Sequence, residues 1–235
     1  MKRAIIIGAS SGIGKALALL LLENGYKVGI TGRRTELLNE IKSVNPDCVF
    51  PISFDATETS LLHTSLNLLV EQLDGLDLLI FSSGIGELNN SLDIDLELPT
   101  VELNVKAFSE VMVWGYQYFE KQKSGQILAI TSIAGLRGSA VAPAYNASKA
   151  YQINYLEGLR QKAKRAKLQL NIIDVRPGFV ATAMAKGDGQ FWVSSTKKAA
   201  SQIFYAIKSK RNVIYVTRRW QIIAWLLKIL PRLLY

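Results

Sequence analysis

The chain has little cysteine, little histidine and little negative charge. Cys48 is the one thiol among 235 residues, which excludes an internal disulfide framework and, with no partner cysteines, argues against a metal site. His63 is the one histidine. It falls in an amphipathic stretch, residues 57–73, where a surface or partly packed histidine is a plainer reading than a catalytic one. Acids number 19 against 28 lysines and arginines, a formal net charge of +9. An excess of one sign favours an anionic partner. The basic segments at 160–167, 197–211 and the C-terminus carry no recognisable nucleic-acid-binding motif, so no nucleic acid is expected. Long apolar runs are missing as well. The opening Met1-Lys2-Arg3-Ala4-Ile5-Ile6-Ile7 is too short in its apolar part for a signal peptide, and a glycine-rich turn follows it. A reducing, cytoplasmic compartment is the simplest reading. No linker, repeat or low-complexity segment interrupts the sequence, and 49% hydrophobic residues suffice for one domain with a large core.

What is present alternates. Residues 3–7 read as a strand buried on both faces. Gly8-Ala9-Ser10-Ser11-Gly12-Ile13-Gly14 follows, then the helix-forming run Lys15–Leu22. Strand, glycine turn and helix in that order place bare backbone N–H groups and a helix N-terminus against an anion. Lys27–Thr31 is a second strand. The acid that usually ends it and takes the ribose hydroxyls of NAD is missing, and Arg33 and Arg34 stand there instead. Guanidinium groups suit a 2′-phosphate by charge and bidentate geometry, so the expected cofactor is NADP(H). Cys48–Phe54 is a third strand, with Asp55 and Ala56 at its end near an expected adenine. Leu76–Phe81 is a fourth, running into Ser82-Ser83-Gly84-Ile85-Gly86, where small residues suggest a second backbone approach to the cofactor.

A long helix from Pro99 to about Gln122 carries Asn104, and its stripe Phe108, Val111, Trp114, Tyr118 reads as core or subunit contact. Gln126–Thr131 is the fifth strand, with Ser132 at its end. Pro143 to about Arg165 is a helix. Leu168–Val175 is the sixth strand, followed by Pro177-Gly178-Phe179-Val180-Ala181-Thr182. Residues 182–195 have no clear period and read as a mobile flap. A helix over 197–208 and a strand over 213–217 complete the pattern. Alternating elements imply an α/β, Rossmann-type doubly wound fold with a seven-stranded, mostly parallel sheet and helices on both faces, over residues 1–217.

Tyr145 and Lys149 are four apart and share a helix face, their Cβ atoms about 5–6 Å apart. An ammonium beside a phenol favours the phenolate and brings it towards acid–base work. With the glycine loop, Asn104, Ser132 thirteen residues before Tyr145, and Pro177-Gly178, this pattern resembles the short-chain dehydrogenase/reductase family in its classical subgroup. The resemblance implies that Tyr145 is the catalytic acid/base and that Ser132 orients a substrate carbonyl. It implies that Lys149 lowers the tyrosine pKa and holds the nicotinamide ribose, and that Asn104 positions a water in a proton relay. The cofactor set it implies is Gly8, Ser10, Ser11, Gly12, Ile13, Gly14, Arg33, Arg34, Asp55, Ala56, Ser82, Ser83, Gly84, Tyr145, Lys149, Pro177, Gly178, Val180 and Thr182, with no metal. Relatives in the family often pair the helices around 100–120 and 145–165, so a homodimer or homotetramer is expected. One departure is Ser82-Ser83-Gly84, where the family usually has Asn-Asn-Ala-Gly; some loss of local rigidity is expected there.

The expected activity is NADP(H)-dependent hydride transfer between nicotinamide and a carbonyl or secondary alcohol. The alternatives are an NADP-binding regulatory protein without turnover and a membrane-associated scaffold. Phe191, Trp192, Val180, Ala183 and Met184 point to an apolar, small or lipid-like substrate. The tail, 218–235, reads as a basic-apolar helix. Its uninterrupted part, 218–230, would be about 20 Å long, short of a hydrocarbon core of about 30 Å. Arg218, Gln221 and Lys228 share one side, and Ile222, Ile223, Leu226, Leu227, Ile229 and Leu230 cover most of the rest. That pattern fits a helix lying in a membrane interface, the inner face of a membrane for a cytoplasmic enzyme; the alternative is a C-terminal helix packed on its own domain or on a second subunit.

Overall fold

The computed structural model describes residues 1–184 and 190–229. Strand β1 (Lys2–Ile7) sets the plan. Ala4 and Ile6 enter one apolar cluster, Ile5 and Ile7 the other, and all four are fully buried. A period of two with both faces apolar requires cover on both sides, which a parallel sheet gets from crossover helices. The other strands are β2 (Tyr26–Gly32), β3 (Val49–Ser53), β4 (Leu78–Phe81), β5 (Ser124–Ile130), β6 (Gln169–Pro177) and β7 (Val213–Val216). All pairings are parallel, in the order β3-β2-β1-β4-β5-β6-β7. The order reverses between β1 and β4, the kind of switch point where such sheets bind ligands. Ile7 lies opposite both Thr31 and Phe81, so Gly8, Gly32 and Ser82 finish level at one carboxyl edge.

One face is covered by α1 (Gly12–Glu23), α2 (Thr35–Val44) and α7 (Thr196–Lys208) through Leu17, Leu21, Leu38, Ile41, Ala199 and Ile203. The other is covered by α3 (Thr59–Leu73), α5 (Phe108–Gln122) and α6 (Pro143–Arg165). Phe108, Val111 and Trp114 of the expected stripe are core. His63 is exposed on α3.

The helix expected from Pro99 starts earlier and has three parts. It opens with α4 (Ile94–Val101), which contains Pro99, passes through a π-helical turn at Glu102–Ala107, and becomes α5. Its start is marked by Asp93, whose carboxylate accepts the Asp95 N–H at 3.0 Å, a cap that outranks the proline as a boundary signal. The π turn places Asn104 where backbone bonding shifts register, a feature that concentrates at functional sites.

The last described element is α8 (Trp220–Ile229). Its expected single apolar face divides in two. Trp220 and Ala224 are buried, with Ile223 and Leu227 half-buried beside them, while Ile222, Trp225, Leu226 and Ile229 are exposed. The expected extension to Leu230, and the tail to Tyr235, lie outside the described residues. No helix among the described residues is long and apolar enough to cross a membrane.

Candidate active site

The edge where β1, β2 and β4 end is built for close approach. Gly8 and Gly12 have φ of +88° and +59°, values that side chains rarely tolerate. A Cβ on Gly14 would run into the Gly8 carbonyl, so α1 can start against β1 only with glycine there. Ser11, the residue capping α1, makes no side-chain capping bond, and the first turn carries no acid. The positive end of α1 is thus neither capped by Ser11 nor offset by an acid of its own first turn, which fits a pyrophosphate. Thr182 approaches this loop from above; its Cγ2 would lie 3.3 Å from a Cβ on Gly12. The stems of the expected flap are pinned, with Ala181 N–H donating to Ser194 O at 2.9 Å and Ser194 N–H to Phe179 O at 3.0 Å. Val180 bridges Ser194 and its side chain is buried in the core. Residues 185–189 of that flap lie outside the described residues.

The two arginines after β2 have different surroundings. A terminal nitrogen of Arg34 donates to Ser10 Oγ and Ser11 Oγ, both at 2.9 Å, so this guanidinium lies against the glycine loop. Arg33 instead pairs with Asp55 at 3.5 Å. Burial pushes the Asp55 carboxyl up, but two hydrogen bonds from Thr57 and the charge of Arg33 outweigh it and hold it below the usual carboxylate range. Arg34, a side chain that needs only to swing off two serine hydroxyls, is the better placed of the two for a 2′-phosphate.

The start of α6 is stitched to its surroundings before Tyr145 enters. Pro143 occupies the first turn. Glu97 Oε2 accepts the Ala144 N–H at 2.9 Å, placing a carboxylate on the helix N-terminus. Asn146 Nδ2 donates to Ala134 O and Arg137 O, each at 2.9 Å, which ties α6 to the turn after Ser132. A Cβ on Gly86 would strike the Tyr145 ring, so the loop after β4 leaves room for the phenol by lacking one. Burial raises the Tyr145 pKa, and a hydrogen bond with the Ser132 side chain pulls the other way.

Lys149 is 3% exposed. Its Nζ donates to Ile130 O and to Gln152 Oε1, both at 3.0 Å, and sits 5.8 Å from the Tyr145 ring centre. Burial pushes its pKa down to about 7 against the opposing pull of Asp174. The ammonium is turned to a carbonyl and an amide oxygen, and burial dominates the phenol.

Asn104 is fully buried. Its amide clamps the loop after β4, accepting from Ile85 N at 3.1 Å and donating to Ile85 O at 2.7 Å and Ser148 Oγ at 3.0 Å. This clamp grips Ile85, the residue that follows Ser82-Ser83-Gly84. The Asn104 carbonyl accepts from Gln152 Nε2 at 2.9 Å, so Gln152 spans the gap between that carbonyl and Lys149.

The structure brings Asn104, Ser132, Tyr145 and Lys149 together, and sets beside them Gln152, Asp174 and Glu97, which the sequence reading did not name. Gln152 lies three residues past Lys149 on the same helical stripe, a spacing that could have found it. Asp174 is a fully buried acid within an apolar strand; it accepts from Thr131 Oγ1 at 2.6 Å and pairs with Arg176. An acid amid Leu170–Val175 was its signal. A cavity of about 510 Å³ lies between the turn after Ser132, at Gly135 and Arg137, and Pro143, Asn146, Ala147 and Ala150, a different stripe of α6 from Tyr145 and Lys149.

One pH dependence follows. Lys149 is charged below about 7 and neutral above it. The titratable groups acting on it are Asp174 and Tyr145. A phosphate-bearing dinucleotide favours the charged form, so affinity for a nicotinamide dinucleotide should fall as pH rises through about 7. Fluorescence titration one pH unit either side reads this, and Lys149→Arg, which stays charged, should remove the step. Constant affinity in the parent would contradict it.

A parallel doubly wound sheet with a glycine loop at its switch point, beside a Ser-Tyr-Lys cluster, fits a nucleotide-binding oxidoreductase. The chain belongs to the short-chain dehydrogenase family, whose model matches residues 2–191. It is similar to an uncharacterized oxidoreductase of Staphylococcus epidermidis, 26% identical over 216 residues, covering 90% of this chain and 93% of the relative. A dehydrogenase/reductase SDR family protein 7-like of Dictyostelium discoideum is 28% identical, covering 99% and 79%. The fold is shared with a short chain dehydrogenase of Burkholderia cenocepacia in complex with NADP, at TM-score 0.82 and 22% identity, covering 97% and 95%. It is also shared with one of Burkholderia phymatum in complex with NAD, at TM-score 0.85 and 19% identity, covering 96% and 92%.

Proposed function

We propose that this oxidoreductase is an NADP(H)-dependent reductase of ketones or aldehydes, chemically reversible as an alcohol dehydrogenase. The observation that carries the reading is the convergence of Ser132, Tyr145 and Lys149 at the carboxyl edge of the sheet that also bears the glycine loop. Arg34 on Ser10 and Ser11, with no acid at the end of β2, favours NADP over NAD. A bound nicotinamide would supply the hydride delivered to the carbonyl carbon. Ser132 then donates a hydrogen bond to the carbonyl oxygen, and Tyr145 gives that oxygen its proton. Lys149 holds the ribose and, as an ammonium, favours the phenolate left behind.

Gln152 changes how the proton is replaced. In this reading its amide fixes Lys149 and joins it to the Asn104 carbonyl without an intervening water. Gln152→Leu removes one acceptor from a charged donor, a bond contributing about 1.5–3 kcal/mol, and kcat should fall by roughly tenfold to a hundredfold. Gln152→Glu places a carboxylate on the ammonium and should move the lysine-dependent limb of the kcat–pH profile to higher pH. Profiles unchanged in both variants would show a residue that only fills space.

The substrate side is apolar. Met184 Cε would lie 3.8 Å from a Cβ on Gly84, and Phe191 packs on Phe179 with ring centres 5.9 Å apart. An apolar or lipid-like carbonyl suits that surface. NADPH consumption against a panel of lipid-linked sugars, steroids, acyl ketones and small aldehydes tests the reading. Turnover is expected with at least one, and faster with NADPH than with NADH; faster turnover with NADH would overturn the cofactor assignment.

A further inference from the structure

Helix α8 carries two apolar stripes in the same register. Trp220, Ile223, Ala224 and Leu227, spaced i, i+3, i+4, i+7, face the domain, with Trp220 2% and Ala224 1% exposed. Ile222, Trp225, Leu226 and Ile229 repeat that spacing on the opposite side and are 60%, 61%, 45% and 57% exposed. A helix apolar on both sides needs cover on both. The inner stripe has it. The Trp220 ring fills the space a Cβ on Gly178 would need and packs on Phe179, Phe191 and Trp192. Further along, Leu227 O accepts from Arg137 Nε at 2.6 Å. Thus α8 braces both walls beside the active site, the turn after Ser132 and the segment after Pro177.

Charge along the chain from residue 190 to the end of α8 has one sign. Residues 190–229 contain eight lysines and arginines and no aspartate or glutamate. Lys228 lies on the flank of the outer stripe, and Arg218 and Arg219 stand at the N-terminal end of α8, Arg219 over the Trp192 ring at 5.4 Å. Trp192 and Val193, 39% and 46% exposed, add to the apolar surface at that end.

We propose that the outer stripe of α8 docks on an anionic lipid surface. An exposed tryptophan and branched aliphatics on one crest, with Lys228 on its flank and Arg218 and Arg219 at its end, is the chemistry of an interfacial helix. An acidic protein groove would complement the cations but has no need of a convex crest about 15 Å long lying flat. Docking also presents the segment after Pro177 to the lipid, and a lipid-borne carbonyl would then reach the site from the bilayer; that consequence rests on the proposed reductase reading, whereas docking itself does not.

Vesicle pelleting tests docking without any turnover. The full chain should pellet at low salt with phosphatidylcholine vesicles containing phosphatidylglycerol, and should stay in solution with phosphatidylcholine alone. Trp225→Ser with Ile229→Ser should cut the bound fraction about tenfold or more, with the circular dichroism spectrum unchanged because both side chains are exposed. Arg218→Glu with Lys228→Glu should weaken binding to the anionic vesicles alone, and raised salt should do the same. A parent that stays in the supernatant overturns the proposal. So does binding that the serine pair leaves intact, or a serine pair that merely converts a dimer to a monomer in light scattering, which would mean a second copy covers the stripe.

Discussion

Tyr145→Phe should lower turnover by roughly a hundredfold to ten-thousandfold, the range a positioned general acid contributes. NADPH affinity should stay nearly unchanged. The substitution removes one hydroxyl and leaves the ring, which packs against Gly86 and stands 5.8 Å from Lys149 Nζ. Ser132 loses its hydrogen bond with the phenol but keeps its own local contact, since Ser132 Oγ accepts from Ala134 N at 3.1 Å. The cluster should therefore hold its shape while losing the transferable proton. Burial has raised the Tyr145 pKa, so the phenol is protonated at neutral pH, the form needed for reduction. A variant that keeps more than a few per cent of the parent activity would mean that the proton comes from elsewhere.

Arg34→Ala should weaken NADPH binding about tenfold to a hundredfold, the loss of a charge-assisted contact to phosphate, and leave NADH binding nearly as it was. Arg33→Ala should do less to the difference between the two cofactors. Its guanidinium is already engaged with Asp55, and removing it also frees that carboxylate beside the expected adenine position. Comparing the two variants by fluorescence titration separates these roles. If Arg34→Ala weakens both cofactors equally, the side chain serves the glycine loop through Ser10 and Ser11 and not the 2′-phosphate. If Arg33→Ala alone shifts the preference, the assignment of the two residues is reversed.

Much of the fold was legible because its signals are local. The apolar run of β1, the glycines after it and the four-residue spacing of Tyr145 and Lys149 depend on neighbours along the chain. The helix start at Pro143 and the parallel order of strands follow from the same kind of pattern. What was not legible depends on contacts across the chain. Arg33 and Arg34 look alike in sequence, and only the reach of one to Ser10 and of the other to Asp55 separates them. The π turn at Asn104 leaves no mark in composition, because it arises where α4 runs into α5 under tertiary packing. Gln152 was passed over as one polar residue among several on a helix. Its meaning lies in spanning a carbonyl 48 residues away and an ammonium on its own helix. The tail was read as one wide apolar face, but helical spacing cannot tell which stripe the domain will claim. Trp220 on Gly178 decided that.

The central claim is that hydride passes between nicotinamide and a carbonyl carbon while Tyr145 supplies the proton. The most direct measurement uses NADPH deuterated at the transferring position of the nicotinamide, with a carbonyl that the enzyme reduces. Mass spectrometry of the product alcohol should find one deuterium on the former carbonyl carbon for each NADPH consumed, and a parallel reaction with Tyr145→Phe should form far less of the same labelled alcohol. Product formed without deuterium at that carbon, or NADPH bound and never consumed with any carbonyl offered, would contradict the account.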